Sequence, residues 1–384
     1  MSGGRLPELK CLWRECLVAT AASCRYRAGY GRMSLCRHTG AQTSFLAVPF
    51  TPVRVTELLF RQEALIGFPQ ADVLPRLSDE QEAMSLLATK IKSQQFVITS
   101  ELTSPKGVDL SDLFAKADAL RRYVDAFNVT ESHRARMTIA PTAVARLLLD
   151  RGIEPIVQMT ARDRNRIALQ AELLGAAALG VRNFVFMGGD PVANGDHPEA
   201  KPVFDLHANQ MLGAARALCE GRDLAGNPLR GTPTMFLGAT ANPGAADLET
   251  ELVNVRRKID AGAQFLQTQA IYDPATLERF LEALKPREVA VLAGIIPLKS
   301  AKMARWLNTN VPGIRVPEGL IAEMALAADA AAQTHAGIGI AARTIRAVRN
   351  LCAGVHVMAL GWDSHVPGIL ESAGLVVPVG VPEV

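Results

Sequence analysis

The sequence predicts an α/β protein: a (β/α)8 TIM barrel with extra helices before the last strand and a poorly patterned N-terminal extension. Three observations predict it. Short β-branched runs, each ending in a polar residue, alternate with amphipathic stretches of helical period. The alternation is strict, which calls for a parallel sheet with its helices outside. Eight such units in roughly 290 residues match the size and count of a closed barrel. Periodicity does not show closure, so an open doubly wound sheet is the alternative.

In order, the runs fall at residues 96–100, 126–130, 155–159, 184–187, 235–238, 265–268, 289–293 and 355–360. Between them lie LSDLFAKADALRRYV, PTAVARLLLDRG, RIALQAELLGAAALG, ANQMLGAARALCEG, DLETELVNVRRKIDAG and PATLERFLEAL, several closing on Gly as helix ends often do. Two further helical patterns, GLIAEMALAADAAAQ and AARTIRAVRNL, separate the seventh and eighth runs. Gly337, Gly339 and Ala341 in AGIGIAAR imitate a dinucleotide fingerprint but follow no strand, so they are expected to form a helix-to-helix turn.

Residues 1–83 carry no sustained hydrophobic period and are set apart from a barrel at 84–384. The first forty hold seven Lys or Arg against Glu8 and Glu15, with four of the six cysteines, Cys11, Cys16, Cys24 and Cys36. A loosely ordered extension, a metal or redox module on these cysteines and a targeting segment compete; the two acids and the lack of a clear amphipathic helix count against the last. Met84 opens the first strongly patterned segment, so translation starting there is a further reading.

Forty-one Lys and Arg against 38 Asp and Glu leave a formal charge of +3. A nucleic-acid binder concentrates far more positive charge, so a small or modestly anionic ligand is expected and no nucleic-acid partner. The composition, 49% hydrophobic and 21% charged, excludes disorder, collagen and a pure coiled coil. No apolar run approaches the roughly 18–20 residues that span a bilayer, so no membrane partner is expected. Six cysteines, none at C-x-x-C spacing, fit a reducing, cytoplasmic setting. The histidines lack H-E-x-x-H or clustered spacing, so no catalytic metal is expected.

In such a barrel, function gathers at the carboxyl ends of the strands. The polar residues there are Glu101, Thr130, Gln158, Thr160, Asp190, Thr240, Asn242 and Gln269, with His356 inside the eighth run. Glu101 should be carried inward at the mouth, where partial desolvation would raise its pKa towards that of a working general acid. The alternative is a rim carboxylate paired with Lys or Arg. Asp190 closes FVFMGGDP, where Gly188 and Gly189 admit a ligand to the backbone and Pro191 turns the chain. It reads as a ligand loop or a turn cap. The following NGDHPEAKPVFDL, with Asp196, His197 and Lys201, is a long polar loop of the functional kind. Arg257 and Lys258 meet a phosphate or form a solvated helix face, and Gln269 suits an amide-like heterocycle.

TSELTSPKG, NFVFMGGDP, GDHPEAKPVFDL, ANPGAADLETEL, KIDAGAQFLQTQAIYD, AGIIPLKSAKMARWL and GVHVMALGWD together, over about residues 90–375, resemble the methylenetetrahydrofolate reductase family. The resemblance implies a flavoprotein barrel of one-carbon metabolism, with FAD or alternatively FMN, that reduces 5,10-methylenetetrahydrofolate to 5-methyltetrahydrofolate. By position, Glu101 matches the general acid, Asp190 the acid beside flavin and pterin, and Gln269 the glutamine that orients the folate. Thr130, Gln158, Thr160, Gly189 and Ala239 match flavin-contacting positions, and Glu251, Asn254, Arg257 and Lys258 the helix that holds ribityl and phosphate. NAD(P)H or another electron donor is implied, with a homo-oligomer or a partner redox subunit.

The sequence departs from better-known members at Gly188, where they carry Arg, at Leu102 and near Ala301, where they carry aromatics, and at Met358 and Trp362, where they place Tyr and Arg. GDHPEAKPVFDL and HVMALGWD point to a divergent bacterial branch. A non-redox pterin-binding barrel that transfers or carries a methyl group, and a non-catalytic partner subunit, are the competing functions.

Overall fold

The computed structural model describes residues 84–285 and 289–375; the N-terminal extension read from the sequence lies outside them. Among the described residues, eight parallel strands close into a barrel in chain order. They are β1 (Val97–Leu102), β2 (Ala126–Val129), β3 (Pro155–Thr160), β4 (Asn183–Met187), β5 (Phe236–Ala241), β6 (Phe265–Ala270), β7 (Ala290–Ile295) and β8 (Gly354–Val357). β8 returns to β1, with Val97 opposite Gly354 and Ser100 opposite Val357. Near-continuous apolar runs suit strands buried on both faces.

The helices pack outside: α1 (Leu86–Lys92), α2 (Ser111–Leu120), α3 (Pro141–Leu149), α4 (Arg166–Ala178), α5 (Ala208–Cys219), α6 (Leu248–Asp260), α7 (Pro274–Leu284), α8 (Ala301–Asn310), α9 (Glu318–Leu326), α10 (Ala330–Val348) and α11 (Val366–Ser372). α1 differs from the rest because it closes the floor. Ser85 caps it and donates to Asn183 Oδ1 (2.6 Å), while Leu87 and Ala88 join Val97, Ala126, Ile156, Val185, Phe236, Phe265 and Leu292 in a cluster beneath the barrel. Phe236 and Phe265 stack there at 5.0 Å.

Every predicted run is a strand, with shifted ends. β1 continues through Glu101 and Leu102, and β5 reaches Ala241. β8 stops at Val357, because Leu360 and Gly361 take left-handed backbone (φ 49° and 85°) and turn the chain. The expected turn at AGIGIAAR is corrected: Gly337, Gly339 and Ala341 lie inside α10, a single 19-residue helix. A methyl group on Gly337 would stand 2.1 Å from the Leu298 carbonyl oxygen. Close approach of the helix to the chain after β7 therefore requires glycine there, and outweighs its poor helix propensity. The first of the two extra patterns is broken at residues 327–329, where Asp329 caps α10 by accepting Ala332 N–H. α8, α9 and the start of α10 enclose a satellite core around Leu298, Leu307, Ile321 and Met324.

Candidate active site

Side-chain alternation decides what enters the barrel. In β1, Val97 belongs to the floor, so Thr99 and Glu101 share its inward face. The same count, started from Ala126, Ile156, Phe236 and Phe265 in the floor, brings in Asn128 and Thr130, Gln158 and Thr160, Thr240, and Gln267 and Gln269. His356 enters from β8 opposite Thr99. Ala239 has the other parity; its methyl is buried in the core between strands and helices and does not join these residues.

Glu101 is the topmost of this group on β1. Gln158 Nε2 donates to Glu101 Oε1 at 3.0 Å, and His356 Nε2 stands 3.6 Å from the same oxygen, an ionic contact longer than a hydrogen bond. The partners are thus Gln and His, rather than the Lys or Arg of a rim pair. Burial pushes the Glu101 carboxyl up, but His356 and Gln158, with His133 farther off, outweigh it and hold the carboxyl below its ordinary value. The expected raised pKa is corrected: desolvation is present, and a partner on the neighbouring strand overrides it.

Beneath Glu101 lies a ladder of polar groups. Thr99 Oγ1 meets His356 Nδ1 at 2.9 Å, and Asn128 and Gln267 exchange amide hydrogen bonds of 2.7 and 2.9 Å. At the end of β6 the pairing with β7 shifts register between Gln267 and Ala270, beside Gln269. Gln269 Oε1 accepts its neighbour's amide from Ala270 (3.0 Å).

Thr130 holds the loop after β1: its hydroxyl accepts Ser104 N–H (3.2 Å) and its carbonyl accepts Ser104 Oγ–H (2.9 Å). Across the rim, Thr160 N–H donates to buried Glu131 (2.5 Å), which also pairs with Arg164. Gly189 has φ +87°, and a methyl there would press on Thr160 Cβ at 3.0 Å. Asp190 is exposed, but its backbone is held: Arg162, only 2% exposed, donates from Nη1 to the Asp190 carbonyl at 3.1 Å and doubly to Asp163. Glu101 and Asp190 stand at the same, carboxyl end of the barrel.

The loop after β4 is irregular as expected, and Asp196 is its clasp. It accepts from Lys106 Nζ (2.6 Å), Met137 N–H (3.0 Å) and His197 Nδ1 (2.9 Å), joining the loops after β1, β2 and β4. Those contacts, led by Lys106, hold its carboxyl well below the usual range. Facing it, Ser132, Arg134 and Ala135 all take positive φ, so strain is concentrated in the loop that carries His133.

At the β5 end, Lys258 Nζ donates to the Thr240 carbonyl (2.6 Å), and Glu251 Oε1 accepts Asn242 N–H (2.8 Å). Burial lowers the Lys258 pKa and Glu251 partly restores it. Asn242 Oδ1 is buried without a hydrogen-bond partner. Asn254 and Arg257 are exposed on α6. Among the described residues there is no group of three His, Cys, Asp or Glu able to hold a metal ion.

The methylenetetrahydrofolate reductase family profile matches residues 86–374, the whole barrel. The chain belongs to this family. Its relatives are distant. Methylenetetrahydrofolate reductase 2 of Schizosaccharomyces pombe is 23% identical over 234 residues, 58% of this chain and 36% of that protein. The 5,10-methylenetetrahydrofolate reductase of Pectobacterium carotovorum subsp. carotovorum is 22% identical over 246 residues, 62% of this chain and 76% of that protein. The chain spans only about a third of the length of the fission-yeast and Caenorhabditis elegans relatives. An uncharacterized protein from Clostridium thermocellum, described as binding two copies of 5-methyl-5,6,7,8-tetrahydrofolic acid, shares the fold. It has a TM-score of 0.50 and 17% identity, covering 77% of this chain and 99% of that one.

Sequence reasoning missed Thr99, Asn128, Gln267, Glu131 and Arg162 and gave His356 no role. A signal existed for the interior set: in FNVT, LQTQ and VHVM a polar residue interrupts an apolar run at the inward parity. Arg162 gave none, because ARDRNR reads as a solvated charged loop.

Proposed function

We propose that this barrel reduces 5,10-methylenetetrahydrofolate to 5-methyltetrahydrofolate, with a flavin as its redox group and Glu101 as general acid. The observation that carries the reading is a carboxylate seated inward at the carboxyl end, touched by Gln158 and His356, within a span that belongs to this family. Ring opening of the substrate needs one proton at a nitrogen that leaves carbon, and a partly desolvated carboxyl within the mouth suits that transfer.

The residues along the β3–β6 rim fit a phosphorylated flavin. Lys258 is a half-buried cation opposed directly only by a carbonyl, Asn242 offers an unpartnered buried amide oxygen to a ribityl hydroxyl, and a methyl on Gly188 would meet nothing within 4 Å. FAD is the proposed form, held by Thr130, Gln158, Thr160, Gly189, Glu251, Asn254, Arg257 and Lys258, with FMN the alternative. When bound, it supplies the hydride. Asp190, its backbone fixed by Arg162, would accept hydrogen bonds from the pterin's donor edge, and Gln269 would orient the same ring.

The test is anaerobic stopped-flow on purified chain carrying FAD, with NADH, NADPH and reduced ferredoxin as donors, followed by the methylene folate. The expected result is flavin reduction by at least one donor and reoxidation by the folate with formation of the methyl product. A preparation that binds the folate but neither binds flavin nor forms the methyl product contradicts the reading.

A further inference from the structure

Where a barrel of this kind packs Val, Ile and Leu, this one buries Thr99, Asn128, Gln267 and His356. Their partners form one chain. The amides of Asn128 and Gln267 satisfy each other, and the second hydrogen of Gln267 Nε2 is directed at Thr99 Oγ1 (3.4 Å). The Thr99 hydroxyl donates to the Val355 carbonyl (3.5 Å), which leaves its oxygen to accept from His356 Nδ1 (2.9 Å). With Thr99 as the acceptor at Nδ1, the imidazole turns Nε2 towards Glu101 Oε1 alone. Around the pair, β3 presents Gln158 and β7 presents Gly294; His133, from the loop after β2, is the further titratable group acting on Glu101 among the described residues.

We propose that His356 is a positioning residue for the acid, and that Glu101 and His356 hold one exchangeable proton between them. The inference rests on the function proposed above. Before reaction the proton is on His356 Nε2 and Glu101 is a carboxylate. As the substrate's C–N bond breaks, its electron pair stays on nitrogen. The proton on His356 Nε2 passes to Glu101 Oε1 and from there to that nitrogen, which leaves Glu101 a carboxylate again. The imidazole becomes neutral and solvent reprotonates it after product leaves; nothing is oxidised in this step. The arrangement explains how a carboxyl held in its ionised form still delivers a proton at neutral pH, since its partner stores what it lacks.

Two readouts on wild type, His356→Gln and Thr99→Val test this. One is the titration of the Glu101 carboxyl in substrate-free protein, followed by difference infrared spectroscopy against Glu101→Gln; the other is the pH profile of kcat/KM. In His356→Gln the carboxyl should titrate at higher pH than in wild type, because a neighbouring cation is gone. The alkaline limb of the rate profile should move the opposite way by about one unit or more, with roughly tenfold loss near pH 7.5 that recovers towards pH 5.5. Thr99→Val should give the same pattern more weakly, and Thr99→Ser should restore wild-type behaviour. A loss equal at every pH, or a carboxyl unmoved in both variants, overturns the proposal. If wild type forms no methyl folate while the carboxyl still moves in His356→Gln, the shared proton stands and the proposed reaction fails.

Discussion

Arg162 and Asp190 show what one side chain does at this rim. The backbone that carries the exposed Asp190 side chain is held by a guanidinium that is itself nearly sealed from solvent and also donates from Nε and Nη2 to Asp163. Arg162→Gln should leave Asp190 in place chemically but free its backbone. We expect roughly a tenfold fall in kcat/KM for the folate and a loss of about 1–3 kcal/mol in urea unfolding, since a charged hydrogen-bond network is opened. Unchanged kinetics would show that the loop holds itself. Asp190 was legible because Gly-Gly-Asp-Pro is local turn chemistry, whereas Arg162 acts across two loops, and no local pattern announces that. The inward place of Glu101 was legible from the local strand run that it closes, while its His356 partner lies 255 positions along the chain.

The strands and most helices were readable because period and punctuation are local, and the barrel then follows from strict alternation. The continuity of α10 was not readable, although both its ends were read as helical, because two glycines inside it obscure a helix whose placement a tertiary contact decides. Gly337→Val should therefore destabilise the chain by about 2 kcal/mol or more, since the added carbon would overlap the Leu298 carbonyl, whereas Gly339→Ala, whose methyl meets only the tip of Arg343 at 3.4 Å, should be neutral or stabilising. Thermal unfolding of the two variants checks this pair. α1 carries a matching expectation. Deleting residues 1–83 should leave a folded, flavin-binding core, but deletion through Lys92 uncovers the apolar floor and should lower the unfolding temperature and promote association.

Among the described residues, several carboxylates are tuned in one direction. Asp196 and Asp205 are pulled below the normal range by Lys106 and Arg166, Asp205 to about 2, and Glu101 is lowered despite its burial. Groups depressed on folding stabilise the native state fully above their unfolded values, and that contribution is lost as pH falls through the folded ones. Urea midpoints should thus stay level down to about pH 5 and fall steeply from about pH 4 towards 2, less steeply in high salt because Asp196 and Asp205 lie near solvent. A midpoint that declines evenly from neutral pH would show that histidines dominate instead. Among the described residues no helix is long and apolar enough to cross a membrane, and the buried apolar side chains gather in the barrel core, its floor and the satellite under α8 to α10.

The role given to Glu101 is tested most directly by rapid mixing of Glu101→Gln, loaded with flavin, first with the electron donor and then with 5,10-methylenetetrahydrofolate. Flavin reduction should proceed at close to the wild-type rate, while reoxidation by the folate slows at least a hundredfold, since only the proton donor has been removed. Reoxidation at the wild-type rate would contradict the assignment.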